Sequence, residues 1–181
     1  HDDVAGTITE LASLVSDADL HVAHLALTLG RTITVAKQSA MAAPLRDVLL
    51  PRVLLLLQSS LLQGVALRAL LGFLGQLVAS RLPSLGFDEL MARLLQLPQA
   101  APLSRHALSA LAQAVAACCA RADAAQTAAC VQQFASQLGG GQAVLALLCL
   151  GEIGNASHAT SRHLPPPPDI SRHLPTSPDI S

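Results

Sequence analysis

Residues 58–78 read QSSLLQGVALRALLGFLGQLV. Leu62, Val65, Ala66, Ala69, Leu70, Phe73, Leu74 and Leu77 recur there at the i, i+3, i+4, i+7 spacing of one helix face. That stripe predicts an amphipathic helix of about five turns over 61–80. Ser59 and Ser60 stand just ahead of it, where a hydroxyl can accept from the free N–H groups of a first turn. A face this broad cannot bury itself alone and needs neighbours of its own kind. The pattern returns along the chain at a spacing of about 40 residues, which marks a helical repeat.

Upstream, a first helix is expected from Val4 to Val15, with Ile8, Leu11, Leu14 and Val15 facing inward. Asp17 and Asp19 then offer carboxylates to the open N–H groups of a second helix, Ala18 to Lys37. That helix carries Leu20, Val22, Ala23, Leu25, Ala26, Leu29 and Ile33. Gly30 inside it costs about 1 kcal/mol relative to Ala, which points to close packing at that position. Pro44 opens the next helix, striped by Leu45, Val48, Leu49, Val53, Leu56 and Leu57. Pro51 within the stripe should kink this helix or delay its start.

Downstream, helices are expected over Phe87 to Leu97, stopped near Pro98, and over Leu103 to Arg121. Two more follow, Ala124 to Leu138, ended by Gly139, Gly140 and Gly141, and Gln142 to Ile153. The helices fall into about four pairs, whose first members begin near residues 4, 45, 87 and 124. In the second helices, VAHLALTL (22–29), VALRALLG (65–72), HALSALAQ (106–113) and AVLALLCL (143–150) set small residues in matching turns: Ala26, Ala69, Ala110 and Ala146. Small side chains there let neighbouring helices approach closely. An ordinary helical bundle explains this spacing less well than repetition does. The expected fold is all-α, a HEAT/armadillo-type α-solenoid over 4–154.

From Gly154 the composition changes. SRHLPPPPDI (161–170) is followed by SRHLPTSPDI (171–180), a near-perfect tandem decapeptide. Proline at this density removes backbone donors, so a disordered, polyproline-rich tail is expected over 155–181. The tail could serve as a ligand for an SH3 or WW domain; an unstructured end is the plainer reading. The chain opens on His1, without a Met, so a processed product or a fragment is expected. The first and last pairs show no polar cap, which predicts an apolar end surface and self-association.

Composition narrows the function. The 181 residues are 51% hydrophobic but only 2% aromatic, and the formal net charge is −1. Base stacking needs aromatic side chains, and a phosphate backbone needs a basic face, so nucleic acid is not an expected partner. The most apolar run, Val48 to Leu57, is broken by Pro51 and Arg52 and falls short of the roughly 20 residues of a membrane span. Cys118, Cys119, Cys130 and Cys149 lie in apolar helical patterns with no CxxC spacing. They read as small buried hydrophobes in a reducing compartment, with no disulfide or zinc site.

No catalytic constellation emerges. His21 and His24 share a helix face at i, i+3 without a carboxylate or thiol to complete a metal shell. Asp88 and Glu89 sit where first-turn carboxylates belong. Gly139 to Gly141 precede Gln142 and not a Lys followed by Ser or Thr, so no phosphate loop is present. Asn155-Ala156-Ser157 matches the glycosylation pattern by chance. No enzyme activity, cofactor, metal or small-molecule substrate is expected.

Three segments carry a resemblance: SDADLHVAHLAL (16–27), LLQSSLLQGVALRALLGFLGQLV (56–78) and LALLCLGEIG (145–154). In this order they resemble the HEAT repeats of the cullin-associated, neddylation-dissociated proteins, with Val65 departing from the family's usual LLQGGAL. The likeness covers about residues 4–154. It implies a non-enzymatic scaffold that binds unneddylated cullin–RING complexes in the cytoplasm or nucleus. It further implies a role in assembly and exchange of SCF-type ubiquitin ligases, by steric competition. It assigns no individual residue to the cullin contact. The rival readings are a helical-repeat scaffold of another class, such as a nuclear transport receptor or adaptor subunit, and an inert fragment.

Overall fold

The computed structural model describes residues 2–36 and 41–161, and all regular structure among them is helical. The elements are α1 (Asp2–Leu14), α2 (Leu20–Ala36), α3 (Ala42–Pro44), a π turn (Leu45–Leu49), α4 (Leu50–Leu57), α5 (Gly64–Ser80), α6 (Phe87–Ala100), α7 (Arg105–Cys119), α8 (Ala124–Gln137) and α9 (Ala143–Ser161). The decapeptide repeat from Arg162 onward and the expected end of α2 at Lys37 lie outside the described residues.

Two layers result. In one, α2 packs on α5, α5 on α7 and α7 on α9. In the other, α1, the run from Ala42 to Leu57, α6 and α8 each lie against the second helix of their own pair. This is the α-solenoid: each unit buries its stripe on the next, and the core runs along the stack. It includes Ile8, Leu27, Leu49, Phe73, Leu111 and Phe134, each 1% exposed or less.

The second-helix layer is tight because its contacts are small. A Cβ placed on Gly30 would lie 3.4 Å from Leu49 and 3.5 Å from the Phe73 ring, as expected of a glycine held for close packing. A Cβ on Gly75 would lie 3.2 Å from the carbonyl oxygen of Ala117, so α5 meets α7 almost backbone to backbone. Ala26, Ala110 and Ala146 are buried, and Ala69 is half-buried.

Local chemistry departs from the sequence expectation in several places. Ser59 and Ser60 do not cap α5. Gln63 holds the N-cap position with an extended backbone and no side-chain bond, and the chain turns into the helix through Gly64 at φ +60°. Only glycine adopts that left-handed angle at no steric cost. The turn drops Leu62 into the core from outside the helix and leaves Val65 49% exposed. Ser59 Oγ accepts from Leu61 N–H and donates to Asp17 Oδ2 at 2.9 Å, tying this turn to the α1–α2 turn. His106 Nε2 donates to the Leu62 carbonyl at 2.6 Å, tying it forward to α7.

Pro51 stands in the first turn of α4, so the regular α-helix begins late, at Leu50, as expected of the proline. Leu50 N–H reaches back five residues to Leu45, forming a π turn immediately before the residue that has no N–H to give. Pro98 does not stop α6, which runs to Ala100, where Ala101 N–H closes on Leu97. The last helix continues past Ile153 to Ser161, into the stretch assigned from composition to the tail. Leu14 is 46% exposed, and Ala12 takes the inward place expected of it.

The glycines give a paired test. Gly75→Ala should destabilise the chain by about 1–3 kcal/mol, because the new methyl meets a backbone oxygen. Gly151→Ala, with open space around its Cβ, should stabilise by about 0.5–1 kcal/mol. Urea midpoints of the two variants against the parent chain measure both effects.

Candidate interaction surface

The titratable side chains do structural work. Asp19 Oδ1 accepts from the N–H groups of His21 and Val22, both at 3.0 Å, and so caps α2 as expected. Glu89, in the first turn of α6, receives Arg93 Nε at 2.7 Å, one turn along. Arg46 and Asp47 form a two-point ion pair, which lowers the Asp47 carboxyl below its usual range. The His21 and His24 rings lie 6.2 Å apart. Among the described residues, no group of three or more His, Cys, Asp or Glu side chains could hold a metal ion. Asn155-Ala156-Ser157 is helical, with Ser157 Oγ donating to Ile153 at 2.9 Å. Gly140 and Gly141 form the turn between α8 and α9. No described helix is long and apolar enough to cross a membrane.

The four cysteines are free and buried. Burial pushes the Cys118 and Cys149 thiols up to about 12. The Cys119 thiol is pushed up and the Cys130 thiol lowered, with the influence of each on the other as the leading cause.

What remains for recognition is surface shape. The first-helix layer opens between α6 and α8 into a groove of about 540 Å³, lined by Phe87, Met91, Leu95, Ala129 and Cys130 among others. A smaller cleft of about 330 Å³ lies beside Val15, Asp17, Arg52 and Ser59. In the second-helix layer, α2 packs through Ala23, Ala26, Leu27, Gly30 and Thr34, and its far side exposes Leu25 (52%), Leu29 (49%) and Val35 (59%). At the other end, α9 packs through Leu145, Ala146, Cys149 and Ile153 and exposes Val144 (63%) and Leu147 (61%). Between them, α7 is buried on two sides. Among the described residues, five of the ten exposed large apolar side chains thus lie on the first and last second-layer helices, and Leu14, Leu55, Leu61, Val65 and Leu138 lie elsewhere.

Two measurements follow from this arrangement. A thiol with a pKa near 12 keeps a thiolate fraction on the order of 10⁻⁴ at about pH 8. Native alkylation at that pH should therefore leave Cys118 and Cys149 unmodified, and mass mapping of the peptides checks it. Substituting Leu147→Glu and Val144→Glu should reduce self-association in sedimentation velocity, with a stability change within about 0.5 kcal/mol because both sites are exposed.

No protein-family model matches the chain. Cullin-associated NEDD8-dissociated protein 1 of Arabidopsis thaliana is 35% identical over 159 residues, which are 81% of this chain and 13% of that protein. The protein of the same name from Dictyostelium discoideum is 28% identical over 158 residues, 83% of this chain and 13% of its own length. Cullin-associated NEDD8-dissociated protein 2 of Mus musculus is 35% identical over 172 residues, 85% of this chain and again 13% of its own. The chain thus spans about one eighth of the length of these relatives. With relatives in plant, amoeba and mouse aligned along more than four-fifths of the chain, the helix stack has one source: the chain belongs to the family of cullin-associated NEDD8-dissociated proteins.

Proposed function

We propose that the chain is a protein-binding segment that contacts a cullin–RING scaffold and takes part in the assembly and exchange of SCF-type ubiquitin ligases. The observation that carries this reading is the match to proteins named for cullin association, which covers more than four-fifths of the chain. The structure supports a mechanism of contact without covalent chemistry. A stack fixed by close helix packing presents a preformed surface, so little ordering entropy opposes binding. Exposed leucines on α2 supply apolar anchors, and a net charge of −1 leaves shape to dominate over long-range attraction. We place this activity in the cytoplasm or nucleus, where reduced thiols persist.

The test uses the purified chain against an immobilised, unneddylated cullin–RING complex. Saturable binding is expected, weakened at least about tenfold by Leu25→Asp with Leu29→Asp. Binding should also weaken when the cullin carries NEDD8. A folded chain that shows no saturable binding overturns the reading. Binding without any change in the rate of substrate-receptor exchange would remove the exchange role and leave the scaffold contact.

A further inference from the structure

We propose that the outer face of the second-helix layer, over α2, α5 and α7, is a docking surface for an acidic peptide segment of a partner protein. The formal net charge of −1 hides a segregation by layer. Helices α2, α5 and α7 contain no Asp or Glu, and each carries one exposed arginine: Arg31, Arg68 and Arg105. The first-helix layer holds Asp2, Asp3 and Glu10 in α1, Asp47 in the Ala42–Leu57 run, and Asp88 and Glu89 in α6. Glu152, in the second layer, lies beyond these three helices in α9. The arginines converge. Arg31 extends from α2 onto α5, where its Nη1 would lie 3.3 Å from a Cβ placed on Gly72. Arg68 stands one turn before Gly72, at the i, i+4 spacing that sets two residues on one helix face. In α7, Ser109 matches Arg68 in the aligned turns, and Arg105 lies one turn before it.

Among the described residues, no carboxylate neutralises these three cations. The ion pairs join Arg46 to Asp47 and Arg93 to Glu89, both in the first layer. Arg81 and Arg121 stand at the C-terminal ends of α5 and α7, where a cation complements the helix dipole. Arg105 does the reverse. It is the first residue of α7, where the dipole disfavours positive charge. Like charges gathered without a counter-charge repel one another, and a carboxylate-bearing segment relieves that repulsion. Each guanidinium can donate two parallel hydrogen bonds to a carboxylate, which suits Asp or Glu side chains. Val65, 49% exposed and three residues before Arg68, adds an apolar contact beside them. Phe73 is the one Phe, Tyr or Trp in the three helices and is fully buried, so nucleic-acid bases find no stacking platform.

The experiment measures, by fluorescence anisotropy at low salt, binding of a labelled peptide of alternating Glu and Ala to the folded full chain. Saturable binding is expected, and none for the counterpart with Gln in place of Glu. Raising the salt from about 0.05 M to about 0.5 M should weaken binding at least about tenfold, because screening shortens the reach of exposed charges. Arg31→Gln with Arg68→Gln should weaken it at least about tenfold at low salt. Arg52→Gln, which removes a first-layer charge, should leave it within about twofold. All three sites are exposed, so helicity should be unchanged in both variants. The probe contains no cullin, so its failure is distinct from a failure to bind a cullin–RING complex. No saturable binding to the acidic peptide overturns the proposal, as does an equal loss in Arg52→Gln. Tighter binding of a DNA duplex, lost in the double variant, assigns the face to phosphate and overturns it too. So does low-salt self-association that the double variant abolishes, which makes a second copy the occupant.

Discussion

The close approach of α5 to its two neighbours sets the spacing of the stack. On one side the Phe73 ring lies against Gly30 of α2, and on the other Gly75 faces the backbone of Ala117 in α7. Dispersion falls off steeply with distance, so widening either gap by the width of a methyl group would forfeit much of the contact along a whole helix. The turn before α5 reinforces this centre with polar bonds. Ser59 reaches back to Asp17, and the Leu62 carbonyl receives His106 from ahead, so one four-residue segment binds three consecutive pairs. Missing side chains at two glycines and two directional bonds at one turn together hold the second-helix layer.

Much of this was legible. The 3.6-residue stripes located every long helix, and the recurrence of about 40 residues paired them correctly. Gly30 announced its close contact because a glycine inside a helix needs a compensating reason. The faces were harder to read. In a chain where leucine and alanine dominate, nearly every helix surface is apolar, so Leu14, Leu25, Leu29 and Val65 fit an inward stripe as well as an outward one. Only the positions of neighbouring helices decide, and among the described residues α2 has no neighbour on the side that carries Leu25 and Leu29.

Other misses came from reading punctuation too literally. Two serines ahead of an apolar stripe suggest a cap, but the left-handed Gly64 moved the helix start beyond them. Pro98 was absorbed by the last turn of its helix, where little hydrogen bonding remains to lose. The candidate site was less legible still. Capping by Asp19 could be read from local chemistry, because both partners lie within three residues. The groove between α6 and α8 depends on how separate helices lie against each other, which periodicity does not encode.

The nearest-neighbour pattern of the stack also bears on how the chain comes to be folded during synthesis. Among the described residues, each pair of helices buries its stripe mainly on the pair next to it. Loop closure is therefore short at every step, and its entropic penalty stays small. A nascent chain can lay down α1 and α2, receive the Ala42–Leu57 run and α5 upon them, and so grow in order as it leaves the ribosome. Aggregation-prone leucine surface is then open only at the growing edge, for the time needed to make one more pair of helices.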